Sequence, residues 1–351
     1  MTISERFADH AAGTRFEDLP AEVVDAVKSF ILATIGVGIA GSATPESRSL
    51  LEVARGWGAG EEAKVWGKGS GLPAGSAAMV NAHCVHCLEF DPIHEPAVVH
   101  AMTVVLPALL ADVERRLARG ETVSGRDLIS AVAVGVDLAG GLGDVTTTAL
   151  RFFRPGTAGI FGGVAAVANA RRMDSARIAD AFGIAYGDLS GTMQPHTEGS
   201  TMLPVQMGFN ARGALTAIDL AAAGHTGPRE VFEGSFGYFS LIETAGEPEV
   251  GWRVAAHMRT AMVLDALEMA RWQRGTNLDG LVAHSGAGSQ LRFKEWSQHR
   301  LVVVIVGVRR GPLRGAPFEG LPGPAVEGCG DSVEVDPGVL GQVGALGKVL
   351  A

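Results

Sequence analysis

The apolar residues of the first 235 positions recur with the 3.6-residue period of an α-helix, and many positions that would face a neighbour carry only glycine or alanine. Gly159-Ile-Phe-Gly-Gly-Val-Ala-Ala-Val-Ala and Gly183-Ile-Ala-Tyr-Gly-Asp-Leu-Ser-Gly show this most densely. Each glycine costs a helix about 1 kcal/mol against alanine, so such text points to helices that approach one another closely. Helices are predicted over 21–40, 76–90, 97–119, 124–142, 159–172, 175–190 and 204–223. Pro20 suits a first helical turn and Gly41 a stop, while Arg115, Arg116 and Arg119 close the third segment where the macrodipole favours cations. No strand alternation competes. The expected fold class is mainly α, a large all-helical, multi-layered domain.

After residue 250 the text changes. Residues 307–330 contain 11 Gly or Pro in 24 positions, and the β-branched run Leu301-Val-Val-Val-Ile-Val precedes them. Such composition rarely makes a compact domain. Residues 1–250 are therefore assigned to the helical domain and 251–351 to an atypical, poorly regular C-terminal region. That region reads either as a small strand-containing domain with long loops or, the favoured reading, as a tail whose frame no longer encodes the ancestral fold.

Net charge is −9, and residues 251–351 carry 11 Lys and Arg against 9 Asp and Glu, so the acidity belongs to the first part. No basic face for nucleic acid stands out. The N-terminus lacks a basic segment followed by an apolar one, and the apolar run 30–40 is shorter than the roughly 20 residues a bilayer span needs. Cys84, Cys87 and Cys329 cannot make a disulfide framework. A cytoplasmic protein with no membrane and no nucleic-acid partner is expected.

Chemistry concentrates in residues 81–107, which hold His83, His86, His94 and His100 with Cys84, Cys87, Glu89, Asp91 and Glu95. Clustered ionisable groups beside apolar surface are how acid–base sites are built. A zinc reading of His83-Cys84-Val85-His86-Cys87 fails on geometry, because the His pair and the Cys pair each keep a spacing of three and no second ligand pair lies downstream. No metal is expected. Asp91, His94 and His100 fall at a helix end, in a loop stiffened by Pro92 and Pro96, and at the next helix start. They read as acid–base groups or as a helix cap with structural histidines.

Two further islands are polar. In 191–213, Gln194, His196 and Glu198 could hydrogen-bond a polar ligand and Arg212 could pair with a carboxylate, or the segment is a solvated loop. In 151–163, Arg151 and Arg154 precede a small-residue helix start that would attract an anion, or flank an ordinary turn. Residues 159–163 lack the spacing of a dinucleotide fingerprint and no strand precedes them.

The ordered motifs Leu88-Glu89-Phe90-Asp91, His94-Glu95-Pro96-Ala97, His100, Val104-Val105-Leu106-Pro107, Phe153-Arg154-Pro155, Ser190-Gly191-Thr192-Met193, Gly208-Phe209-Asn210-Ala211-Arg212 and Gly237-Tyr238-Phe239 resemble the MmgE/PrpD family over residues 5–245. That family includes 2-methylcitrate dehydratase, cis-aconitate decarboxylase and iminodisuccinate epimerase. The resemblance implies a large helical domain joined to a smaller α+β lid, usually in a homodimer, without metal or organic cofactor. It implies chemistry at carbon next to a carboxylate in citrate-like acids. Asp91 and His100 match the family's acidic and imidazole site positions. Three departures stand out. Pro92 occupies the place of a second Asp, Arg154 that of the histidine in a Phe-His-Pro turn, and Leu203 that of a lysine. These argue against cis-aconitate decarboxylase and, less directly, against 2-methylcitrate dehydratase. The lid's Lys-Pro-Tyr-Pro-like stretch and its later Arg and His-Gly pair are missing after Val250, where His284-Ser285-Gly286 is a poor substitute.

The leading expectation is a cofactor-independent lyase or isomerase that abstracts a proton next to a carboxylate in a small di- or tricarboxylic acid. His100 would be the acid–base residue, Asp91 its partner or a second proton carrier, and His94 the reserve. Arg154 and Gln194 would hold substrate carboxylates, with His196, Glu198 and Arg212 lining the site. The alternative is a catalytically degenerate helical scaffold of the same family.

Overall fold

A computed structural model describes residues 1–243 apart from Thr148. The expectations for 251–351, including Cys329 and His284, lie outside the described residues. The element order is α1 (Ile3–Gly13), a short 3₁₀ turn (Phe16–Asp18), α2 (Ala21–Gly41), α3 (Pro45–Trp57), β1 (Ala63–Lys64), β2 (Gly71–Leu72), α4 (Ala74–His86), α5 (Ala101–Ala118), α6 (Gly125–Asp144), α7 (Arg154–Ala170), α8 (Ser175–Gly187), α9 (Gln194–Glu198), α10 (Met202–Ala222) and α11 (Tyr238–Leu241). The mainly α architecture is as the periodicity requires. The two short strands pair antiparallel, Ala63 opposite Leu72.

Every residue of α7 is buried, and α4, α5, α6 and α10 pack around it or around one another. Small residues permit this. A Cβ on Gly162 would lie 2.5 Å from the carbonyl oxygen of Gly135, and one on Gly135 would lie 2.7 Å from that of Gly162, so α6 and α7 cross backbone to backbone. A Cβ on Gly41 would sit 1.9 Å from the Cys84 carbonyl oxygen, which brings the end of α2 against the last turn of α4. The α2 helix, at 21 residues, is long and apolar enough by length and composition to cross a bilayer, which the run 30–40 alone is not. Here its Val23, Val27, Ile31, Thr34 and Gly38 are buried and it packs against α4.

The structure corrects several boundaries. Helices α1 and α3 were not anticipated, although both are punctuated: Thr2 accepts from the Glu5 N–H while the Glu5 carboxylate accepts from the Thr2 N–H, and Thr44 caps α3 ahead of Pro45. Helix α7 begins five residues before Gly159, because Pro155 pre-sets its first turn. Most consequential, α4 stops at His86 rather than Phe90 and α5 starts at Ala101 rather than Ala97. Between them Glu89 (φ 56°) and Val98 (φ 52°) adopt left-handed backbone, and His94 pairs with Val99 in an antiparallel bridge. The chain thus makes a tight loop where continuous helix was predicted, and the ionisable residues sit in it.

Candidate active site

Three side chains converge at this loop. His86 is the last residue of α4, Asp91 lies in the loop, and His100 is the residue before α5. The Asp91 carboxylate receives the His86 ring through Nδ1 at 3.0 Å from Oδ2 and 3.2 Å from Oδ1. Nδ1 of His100 lies 3.0 Å from the same Oδ2, and the Thr103 hydroxyl from the first turn of α5 donates to it. The two imidazoles meet edge to face with centroids 5.0 Å apart, and the Phe153 ring covers His86 at 5.6 Å. All three ionisable residues are buried, Asp91 and His100 at 5% exposure and His86 at 1%.

Their environment sets their charges. Burial alone would raise Asp91, but the charges and hydrogen bonds of His100 and His86 overcome it and hold the carboxyl far below the usual range. Burial alone would lower His86, but Asp91, by charge and hydrogen bond, and Glu89 push it up to about 9. One turn earlier His83 is buried with both ring nitrogens unpartnered; burial, reinforced by His86 and only partly offset by Glu46, pulls it down to about 4 and keeps it neutral. Cys84 does not join the group, for burial lifts its thiol to about 12. The Cys87 thiol is also raised by burial, and its sulfur lies against the carbonyl oxygens of Cys84 and Gly41.

His86, Asp91 and His100 each offer one ligand atom, all within 4.8 Å of one another, which is close enough for a shared cation. The donors already converging on Asp91 fit proton sharing equally well. The His/Cys pairs weighed in the sequence do not converge: of those four residues only His86 belongs to this group.

The remaining predicted site residues are placed elsewhere. His94 bonds through Nε2 to Asp144 at the end of α6, 3.0 Å away, rather than to Asp91. Arg154 is buried at the start of α7 and its guanidinium grips Glu243 through both Nε (2.9 Å) and Nη2 (3.2 Å), with Nη1 donating to the Ala97 carbonyl at 3.0 Å. It therefore fastens the site loop and carries a carboxylate of its own chain where a substrate carboxylate was expected. Gln194 donates to Glu198 across the exposed α9, where His196 is exposed too. Arg212 points outward on α10 and lies over the Trp57 ring at 5.4 Å. It lines an open depression of about 450 Å³ with Asp188, Ser190, Phe209 and Thr216, which contains none of the three converging residues. Sequence reasoning missed His86, Thr103 and Glu243 as partners in this region. The signal for His86 was present in its position five residues before Asp91, but a helix continued to Phe90 would have carried Asp91 away from it.

Fold and site together define a class: a mainly helical protein whose buried core presents a carboxylate shared between two imidazoles. Residues 5–250 match the MmgE/PrpD N-terminal domain. The chain belongs to the MmgE/PrpD family. It is 31% identical over 235 residues to the cis-aconitate decarboxylase-like protein oryM of Aspergillus oryzae, covering 65% of this chain and 48% of that protein. It is 30% identical over 291 residues to the cis-aconitate decarboxylase of Homo sapiens, covering 77% of this chain and 60% of that one. The chain spans about half the length of the curated relatives it matches. A separate 68-residue match, 40% identical, is to a putative transposase for insertion sequence element IS986/IS6110 of Mycobacterium tuberculosis, covering 17% of this chain and 24% of that protein.

Proposed function

We propose that this helical domain carries the acid–base group of a lyase or isomerase that removes a proton next to a carboxylate in a small di- or tricarboxylic acid. The observation that carries the reading is the Asp91 carboxylate placed 3.0 Å from Nδ1 of His100. A carboxylate behind one imidazole nitrogen orients the ring and leaves the other nitrogen, Nε2, to exchange a proton with substrate. Removal of the proton leaves a carbanion-like species. An acid then assists departure of a group from the neighbouring carbon or returns the proton. The relatives named cis-aconitate decarboxylase support a tricarboxylate substrate and lyase chemistry. Arg154 and Leu203, standing where the resemblance expects His and Lys, argue against decarboxylation and, less directly, against 2-methylcitrate dehydration, so the reading commits to α-proton removal and not to one of the family's named reactions. No metal or organic cofactor enters this reading, and a cytoplasmic homodimer remains the proposed setting.

The test is hydrogen–deuterium exchange of the substrate α-proton in deuterated water, followed by NMR on citrate, 2-methylcitrate and cis-aconitate. His100→Leu should slow exchange by about 10²–10⁴-fold, the usual contribution of general acid–base catalysis. Wild-type exchange in that variant would remove His100 from the chemistry. The alternative reading is a catalytically degenerate helical scaffold of the same family. Absence of exchange on every substrate by the wild-type chain would favour it.

A further inference from the structure

We infer that His86 is a positioning residue of this site, a buried cationic ring that holds the Asp91 carboxylate and fixes the oxygen it presents to His100. The inference rests on reading Asp91 and His100 as the acid–base pair. It names the group that controls that pair.

Both ring nitrogens of His86 face carboxylates. Nδ1 is hydrogen-bonded to Oδ2 of Asp91 at 3.0 Å, and Nε2 stands 3.5 Å from Oε1 of Glu89, an ion-pair distance without a hydrogen bond. A neutral imidazole would turn a lone pair toward one of these anionic oxygens, whereas the imidazolium presents a positive N–H edge to both, as hydrogen bond to Asp91 and as ion pair to Glu89. Burial of the ring at 1% exposure makes a mismatched lone pair costly, and the position at the C-terminus of α4 favours positive charge. The backbone is shaped for this contact. Glu89 takes left-handed φ (56°), unusual for a residue with a side chain, and its N–H bonds back to the His86 carbonyl at 2.9 Å. The Glu89 carboxylate thereby comes within 3.5 Å of Nε2 on the ring it follows. The upward displacement of His86 to about 9 agrees with this arrangement.

The consequence falls on His100. Its Nδ1 and that of His86 approach the same Asp91 oxygen, so the fixed cation offsets the carboxylate that would otherwise act on His100 alone. The titratable groups facing His86 are Asp91 and Glu89 from the loop, His100 at the head of α5, and neutral His83 one turn back in α4, itself influenced by Glu46. Loss of a like charge whose ring centre is 5.0 Å away should move the acid limb of the exchange profile to higher pH. A purely structural lesion would lower the rate at every pH without moving the limb.

The experiment uses the full chain labelled with ¹⁵N-histidine. Long-range ¹H–¹⁵N spectra at pH 7.5 should show both His86 nitrogens protonated, and the His100 proton on Nδ1. In Glu89→Gln the doubly protonated form of His86 should give way at lower pH than in wild type. In His86→Gln and His86→Phe, each checked for native circular dichroism, the His100 tautomer preference should weaken, more in Phe, which offers Asp91 no donor. A neutral His86 at pH 7.5, or an unchanged His100 tautomer in both folded variants, overturns the inference. If His86→Phe does not fold, His86→Gln and the wild-type spectrum decide it. These readings need no turnover, so the absence of α-proton exchange in wild type would sink the proposed function separately. Where exchange is present, a His86→Gln profile that falls without shifting also counts against a positioning role.

Discussion

Asp91→Asn removes the charge at the centre of the cluster while keeping its volume, and its effect on stability follows from the position of His86. In the folded protein that ring is raised from 6.5 to about 9, and one pH unit corresponds to about 1.4 kcal/mol. The bound proton therefore contributes roughly 3 kcal/mol to folding, counted once for the His86–Asp91 pair. Because the folded protein holds the proton more tightly than the unfolded chain, this contribution is complete below about pH 6.5 and disappears as pH rises through about 9. With asparagine at position 91 the anion that opposes desolvation is gone, and burial turns the ring neutral. The variant should be less stable than wild type by roughly 3 kcal/mol at pH 6, and the gap should close by pH 9.5. His83, lowered to about 4, destabilises both proteins as pH falls from about 6.5 toward 4, because the unfolded chain binds the proton better. Its burial part cancels in the difference, whereas the part due to the His86 charge is present only in wild type and opposes the gap as pH falls. Urea unfolding followed by far-ultraviolet circular dichroism, at pH steps from 6 to 9.5, measures the gap. Parallel stability curves for the two proteins would refute the reasoning, since they would mean that His86 does not lose a proton across this range.

The close crossing of α6 and α7 makes a paired prediction. Gly162→Ala should destabilise by about 1–3 kcal/mol through overpacking, seen as a lower melting temperature, because its Cβ would meet the Gly135 carbonyl at 2.5 Å. Gly56→Ala, in α3 with nothing within 4 Å of the new methyl, should instead stabilise by about 0.5–1 kcal/mol. Arg154→Ala takes the guanidinium from buried Glu243 and from the Ala97 carbonyl, and should cost about 3–5 kcal/mol in urea unfolding. A variant of wild-type stability with weakened substrate binding would restore Arg154 as the carboxylate-binding residue.

Much of the fold was legible in order and kind because helical periodicity is a local property. The existence of α2, α4–α8 and α10, the importance of small residues at their contacts, and the meeting of Asp91 with His100 all follow from positions close in sequence or from motif order. Helix ends were less legible. A pattern that is apolar on every side, as in α4, gives no internal sign of where the backbone must leave the helix. The left-handed turns at Glu89 and Val98 fall on residue types that give no warning of positive φ.

Charge pairing across long separations was not legible at all. Arg154 reads as a free cation until Glu243, 89 residues later, is folded against it, and Arg212 reads as a candidate ligand-binding arginine until α10 turns it out toward Trp57. Sequence by itself determined that helices with small-residue contacts would form and that histidines and carboxylates would gather between two of them, since both depend on neighbours along the chain. Tertiary structure alone decided that His86 joins His100 on Asp91 and which arginine is already paired. Those outcomes depend on burial and distance, and a buried charge is stable only beside a partner that folding brings to it.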